Sequence, residues 1–397
     1  MGLFLILGCG SQPVCEDCNV IIIIIDALRW DHLGCYGYAK NTSPTMDSLC
    51  RNSIVFENAI SQGTSTARSV ASLFTSNYAN TNGLDGAGGQ VINHMPDSAV
   101  TIAEVFRSEG YSTGAIIGAT YIDSDWGYDQ GYDDYKPAND DRVMTEMATE
   151  WINDAGGKFF LYLHLFSPHA PYDPPKEYKD LFRKGYNGSL DFSVVNQQLD
   201  ALNLTQEDIN ELRDRYDGEI RYADDAIGSL LGYLRGAGLL ENTIIAVTAD
   251  HGEALREKMP IGHGHDLNTV VQVPLIVYIP GEEERRIERA VELIDLPPGL
   301  LKVLQIDIPE SFKGDGLFTD PGKRFAFSQG HQVLIRDRDC LFINHQMYNL
   351  TEDPYQLHPL NASEAFEEAY WSFNPQLVLR TGHNEETKQK MRSLGYV

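Results

Sequence analysis

The sequence is short of cysteine, with 6 in 397 residues, and short of positive charge, with 31 Lys and Arg against 57 Asp and Glu. So few thiols exclude a disulfide-built scaffold. The formal charge of −26 opposes non-specific binding to nucleic acid or anionic lipid, so no nucleic-acid partner is expected. Long apolar runs are missing too. The longest in the interior, VIIIII at residues 20–25, falls far short of the ~20 residues that span a bilayer. It reads instead as a buried parallel strand. No internal repeat or low-complexity linker divides the chain.

Apolar runs and amphipathic patterns alternate along most of the chain. NVIIIII, TGAIIG, KFFLYLHLF, NTIIAVTA and VPLIVYI read as buried strands, separated by helical patterns near 43–52, 66–75, 98–109, 205–235 and 286–304. That alternation predicts an α/β domain over 19–318 with a central, mostly parallel sheet covered on both faces. From 319 the segments shorten to RFAFS, QVLIRD, CLFIN and MYNL, which predicts a small antiparallel sheet and a last helix at 384–394. Residues 1–18 stand apart. Their apolar stretch ends in Leu7-Gly8-Cys9, the form of a bacterial lipoprotein cleavage box, so the expectation is export to the cell envelope or beyond, with a lipid on Cys9 as membrane attachment. Cys15 and Cys18 lack two further nearby ligands for zinc, which leaves a local disulfide or two free thiols.

Three of the predicted strands end in metal-type ligands. Asp26 follows the first, His164 and His169 come with LYLHLFSPHAPY, and Asp250-His251 closes IIAVTADH. Carboxylates beside a histidine at one sheet edge are costly to bury unless a cation offsets them, and ligands bind beyond the carboxyl ends of such strands. Twelve residues on, the glycine-interleaved IGHGHDLN offers His263 and His265, imidazoles suited to phosphate or sulfate ester chemistry. The segment SQGTSTARSVASLFTS, residues 61–76, carries eight hydroxyls and one arginine, Arg68. It is either a polar loop leading into a helix or the source of a nucleophile.

NVIIIIIDALRWDHLGCYGY, NAISQGTSTARSVASLFTS, FLYLHLFSPHAPYDPP, TADHGE with IGHGHDLN and QVPLIVYIPG, LIDLPPGLL and the ending MRSLGYV occur in order over the chain. Together they resemble the sulfatase branch of the alkaline phosphatase superfamily. The resemblance implies an alkaline-phosphatase-like sandwich with a smaller C-terminal antiparallel sheet, a metal held by Asp26 with Asp250 and His251, and contact of His169 with the transferred group. The sequence departs from the sulfatase pattern at three places. Ala27 stands where a second aspartate is usual, Thr66 falls in the slot of the Cys or Ser that becomes formylglycine, and GATYIDSDWGYDQGYDDY replaces a lysine-and-histidine segment.

Threonine cannot form that aldehyde, because its β-carbon carries a methyl group. Other branches of the superfamily place an unmodified threonine there, which implies Thr66 as both nucleophile and metal ligand, with Thr64 as the alternative. His169 then stabilises charge, His263 or His265 protonates the leaving group, and Arg68 clamps an oxygen. Trading an aspartate for a histidine points to zinc or manganese, with calcium as the all-oxygen alternative. The expected substrate is an anionic ester of a small molecule, glycan or lipid, with a phosphodiester or phosphoryl group favoured. Sulfate ester hydrolysis is the first alternative, and a non-catalytic surface lipoprotein that binds an anionic ligand is the second.

Overall fold

The computed structural model describes residues 15–79, 94–182, 185–188, 190–193, 199, 202–318 and 325–373. Cys9 and the helix expected at 384–394 lie outside the described residues. The larger sheet has eight strands in the order β4-β3-β5-β1-β6-β7-β2-β8. They are β1 (Asn19–Ile25), β2 (Ile54–Ile60), β3 (Ser112–Ile117), β4 (Asp134–Pro137), β5 (Phe159–Leu165), β6 (Thr243–Thr248), β7 (Gln272–Tyr278) and β8 (Arg285–Glu292). β1 lies at the centre, parallel to β5 on one side and β6 on the other. Only β7 runs against its neighbours.

All seven residues of β1 are buried. This explains its unbroken branched-aliphatic run, since a central parallel strand is covered on both faces. The helices long enough to matter are α1 (Pro44–Cys50), α2 (Thr66–Thr75), α3 (Ile102–Ser108), α4 (Asp141–Asp154), α5 (Gln206–Gly236), α6 (Leu296–Val303) and α7 (Glu364–Phe373). α5 starts at a capping box in which Thr205 and Asp208 satisfy each other's backbone N–H.

One expectation is corrected. The helical pattern placed at 286–304 is a helix only over Leu296–Val303, and its first part is β8, paired in parallel with β2. The reason is visible in RRIERAVE, where exposure alternates residue by residue from Arg285 before the strand becomes fully buried at Ala290. This is the period of two of a half-solvated edge strand.

The smaller sheet is antiparallel and orders its strands β13-β12-β11-β10-β9. Four of them, β9 (Ala326–Gln329), β10 (Val333–Arg336), β11 (Cys340–Ile343) and β12 (Gln346–Asn349), fall on the four segments read from the sequence, and β13 is the pair Leu360–Asn361. Gln329 forms a bridge to Gly63, which ties this sheet to the segment preceding α2. Cys15 and Cys18 form a disulfide. Among the described residues, no helix is long and apolar enough to cross a membrane.

Candidate active site

Strand order brings the candidate ligands to one edge of the larger sheet. Asp26 leaves the end of β1, where its N–H donates to Leu165 O of β5 at 3.0 Å. His164 sits on β5 itself. Asp250 and His251 follow β6, and Thr66 is the first residue of α2. All five side chains are buried.

His251 fixes the geometry. Its Nδ1 donates to Gly252 O at 2.9 Å, so in the neutral ring Nε2 presents a lone pair. That lone pair faces Asp26 Oδ1 at 3.5 Å, Asp250 Oδ2 at 3.4 Å and Thr66 Oγ1 at 3.3 Å. Two carboxylate oxygens and an imidazole lone pair directed at one another repel unless a cation lies among them. Asp26, Asp250 and His251 each offer a ligand atom within 4.8 Å of the others. Asp26 Oδ1, Asp250 Oδ2 and His164 Nε2 are buried without a hydrogen-bond partner, which few buried polar atoms tolerate. Burial and the charge of Asp26 push the Asp250 carboxyl up to about 6. Burial acts on Asp26 in the same direction, but the imidazoles of His169, His164 and His251 outweigh it and hold this carboxyl low. Burial lowers His251 to about 4, keeping the ring neutral as a ligand must be. These residues fit a single divalent cation.

Ala27, where a second aspartate is usual, contributes its backbone. Its N–H donates to Asp250 Oδ1 at 3.3 Å from a left-handed conformation, φ 59°. This conformation costs on the order of 1 kcal/mol in a residue with a Cβ. The carbonyl of Ala27 accepts from the Tyr216 hydroxyl of α5 at 2.7 Å, which holds the turn in place.

A second group of imidazoles stands beside the first. His169 Nδ1 donates to Ala170 O at 2.8 Å and His263 Nδ1 to Thr64 O at 3.3 Å, while the two Nε2 atoms lie 3.2 Å apart. Both Nε2 atoms would be lone pairs in neutral rings, so the contact holds a shared proton. Burial would lower both rings, but Asp26 and Glu253 outweigh it at His169 and raise it. His263 is lowered to about 3 by burial and by His251 and His169. Of the two rings, His169 is the one whose surroundings favour the protonated form. His263 also packs against His251, the rings tilted by 32° with centroids 4.3 Å apart.

The remaining candidates make contacts of their own. Arg68 reaches away from α2 to donate to Gly330 O at 3.2 Å, and His265 lines a separate cavity together with Lys258 and His331. Thr64 contributes its carbonyl, which accepts from Gly264 N at 2.8 Å as well as from His263.

Sequence reasoning missed three acids. Glu253 is fully buried two residues after His251, and burial pushes its carboxyl up to about 8; its only signal was its place in Asp-His-Gly-Glu. Asp141 of α4 accepts from Phe166 N at 2.9 Å, and Glu219 of α5 bonds Ser167. Together they secure the segment that carries His169.

Burial raises Asp141 to about 7 and Glu219 to about 8. Folded-state values above the unfolded ones favour the native state at low pH, and this contribution is lost as pH rises from about 4.5 through 8. Glu219→Gln is therefore expected to melt progressively better relative to wild type between pH 5 and 8.5. Thermal melts across that range check it, and parallel curves for the two proteins would rule it out.

The sulfatase family model matches residues 18–306, well over half of the chain. Mouse iduronate 2-sulfatase is 25% identical over 85% of this chain and 75% of its own length. The arylsulfatase of Clostridium perfringens is 22% identical over 88% and 91%. Among solved structures, the phosphonate monoester hydrolase of Agrobacterium radiobacter superposes with a TM-score of 0.72 over 91% of this chain and 95% of that one, at 17% identity, a likeness of fold. With its eight-stranded sheet, its smaller antiparallel sheet and this match, the chain belongs to the sulfatase family, among the ester hydrolases of the alkaline phosphatase superfamily.

Proposed function

We propose that this protein is a metal-dependent hydrolase in which Thr66 is the nucleophile, acting on phosphate esters in preference to sulfate esters. The observation that carries the reading is the position of Thr66 Oγ1, 3.3 Å from the same His251 Nε2 that faces Asp26 and Asp250. A divalent cation held by Asp26, Asp250, His251 and Thr66 would supply Lewis acidity, lowering the pKa of a hydroxyl and offsetting charge on the ester oxygens. Its mixed nitrogen and oxygen donors suit zinc or manganese better than calcium.

The chain's own residues supply the rest. Thr66 attacks as its alkoxide at the start of α2, whose positive end favours an anionic oxygen, and the N-cap Ser65 places no side-chain hydrogen bond there. The proton shared by His169 and His263 passes to the departing alkoxide, and His263 takes one back from the water that displaces the phosphoryl group from Thr66. A threonine ester must be broken at its central atom, because the side chain has no second hydroxyl to expel the group. This favours phosphorus. Sulfate ester hydrolysis is the second reading, favoured by relatives that are sulfatases by name. The Cys15–Cys18 disulfide supports export out of the reducing cytosol.

Nitrophenyl phosphate, bis-nitrophenyl phosphate and nitrophenyl sulfate, each assayed with and without chelator, test the reading. Turnover of the phosphate esters above the sulfate, lost on chelation, is expected. Turnover of the sulfate alone would reverse the preference, and no turnover by metal-loaded protein would overturn the function.

A further inference from the structure

Where the smaller sheet meets the larger, a cavity of about 210 Å³ is lined by Trp30, Asn58, Asn268, Gln272, Arg336 and Arg338 among others. It is smaller than the ~300–1,000 Å³ typical of ligand pockets and suits an inorganic ion with a few waters. Arg336 closes β10 and is only 4% exposed. Its Nη2 donates to Asn58 Oδ1 at 3.0 Å, its Nε to Asn268 Oδ1 at 3.3 Å, and its Nη1 to the carbonyls of Asp337 and Cys340. These bonds take four of the five guanidinium N–H groups, and every acceptor is neutral.

Among the described residues, no carboxylate lies within ion-pair distance of this guanidinium, and a buried cation without a counterion is costly. Burial lowers it to about 10 against the pull of Asp337 and Asp339. The two acids in the cavity lining do not serve it either. Glu57 pairs with Arg286, and Asp339 lies 3.6 Å from Arg338 Nε. On another wall, Trp30 opens the short helical turn Trp30–His32 that follows β1. Its indole Nε1 is buried with no hydrogen-bond partner, which few buried donors tolerate. One cavity thus has in its lining an uncompensated guanidinium and an orphaned indole N–H, and lacks the acceptor that both need.

We propose that this cavity binds a small tetrahedral oxyanion, phosphate or sulfate, held by Arg336 and the indole N–H of Trp30. Such an ion carries the charge that Arg336 lacks. It also offers acceptor oxygens in several directions, as donors on separate elements require and a single carboxylate group does not supply. Bound there, it links the smaller sheet to the turn that follows Asp26. The site stands whether or not the protein is a hydrolase.

The four tryptophans of the full-length chain, labelled with nitrogen-15, give indole N–H signals in NMR spectra, and Trp30→Phe identifies that of Trp30. Phosphate, sulfate and acetate are titrated at constant ionic strength into zinc-loaded protein, and again with chelator, where no oxyanion is held by the catalytic cation. At least one of phosphate and sulfate is expected to move the Trp30 signal saturably in both series, with a Kd about tenfold or more below that of acetate, and the tighter of the two names the ion. Arg336→Met is expected to weaken that Kd about tenfold or more.

If Arg336→Met does not fold, melting curves in chelator replace it. The same ion is expected to raise the melting temperature of wild type saturably, and Trp30→Phe, which keeps an aromatic ring in place, to lose half of that rise or more. A Trp30 signal that stays still, that acetate moves equally, or that answers only in zinc-loaded protein overturns the site. So does a Kd indifferent to Arg336→Met, or a rise in melting temperature undiminished by Trp30→Phe.

Discussion

Thr66→Ala is expected to lower kcat/KM on the order of 10⁴-fold or more while leaving the fold intact, as removal of an attacking hydroxyl does in covalent catalysis. The Thr66 hydroxyl lies 3.3 Å from His251 and bonds the Asp250 carboxylate, so its loss costs about 1–2 kcal/mol of stability. Alanine is also a good residue for a first helical turn. Thr66→Ser keeps the oxygen and is expected to retain activity within about tenfold. Thr64→Ala should be mild, because Thr64 serves the site through its backbone carbonyl. Steady-state kinetics with a circular dichroism spectrum of each variant check this. Near-normal turnover by Thr66→Ala would reject the nucleophile.

Removing the cation is expected to abolish turnover and to lower the melting temperature by several degrees. A ligand that binds only the folded state, at a thousandfold excess over its Kd, contributes about 4 kcal/mol. Its withdrawal leaves Asp26 Oδ1 and Asp250 Oδ2 buried and unpartnered. Asp26→Asn is expected to lose most of the response, melting at nearly one temperature with metal or chelator, because one of the two carboxylates that offset the cation's charge is gone. Melting curves of both proteins under the two conditions decide it. An Asp26→Asn protein that gained as much from metal as wild type would place the ion elsewhere.

How much of this was legible before the structure depended on the range of the interaction. The runs around β1, β5 and β6 could be read because a parallel strand covered on both faces must be apolar throughout. β2, IVFENAI, escaped because Glu57 and Asn58 interrupt the run, although only one of its seven residues is not fully buried. β8 was mistaken for helix because its charges were spaced ambiguously. Asp26, Asp250 and His251 were visible as polar residues at the ends of apolar strands. What aims them was not. The Nδ1 bonds of His169, His251 and His263 all go to backbone carbonyls, and carbonyls have no sequence signature. The seats of Asp141 and Glu219 under residues 166 and 167 join α4, α5 and the end of β5 across long sequence separations, which local pattern does not encode. Arg68 could be placed near Thr66 from the sequence, but its bond to Gly330 of the β9–β10 turn could not, because the smaller sheet sets that contact.

The most direct measurement is anomalous X-ray diffraction from crystals of protein loaded with zinc or manganese, collected above and below the metal's absorption edge. The account predicts one strong peak at bonding distance from Asp26, Asp250, His251 and the Thr66 hydroxyl together. A peak elsewhere, or one that touches the carboxylates while Thr66 stands apart, would contradict it.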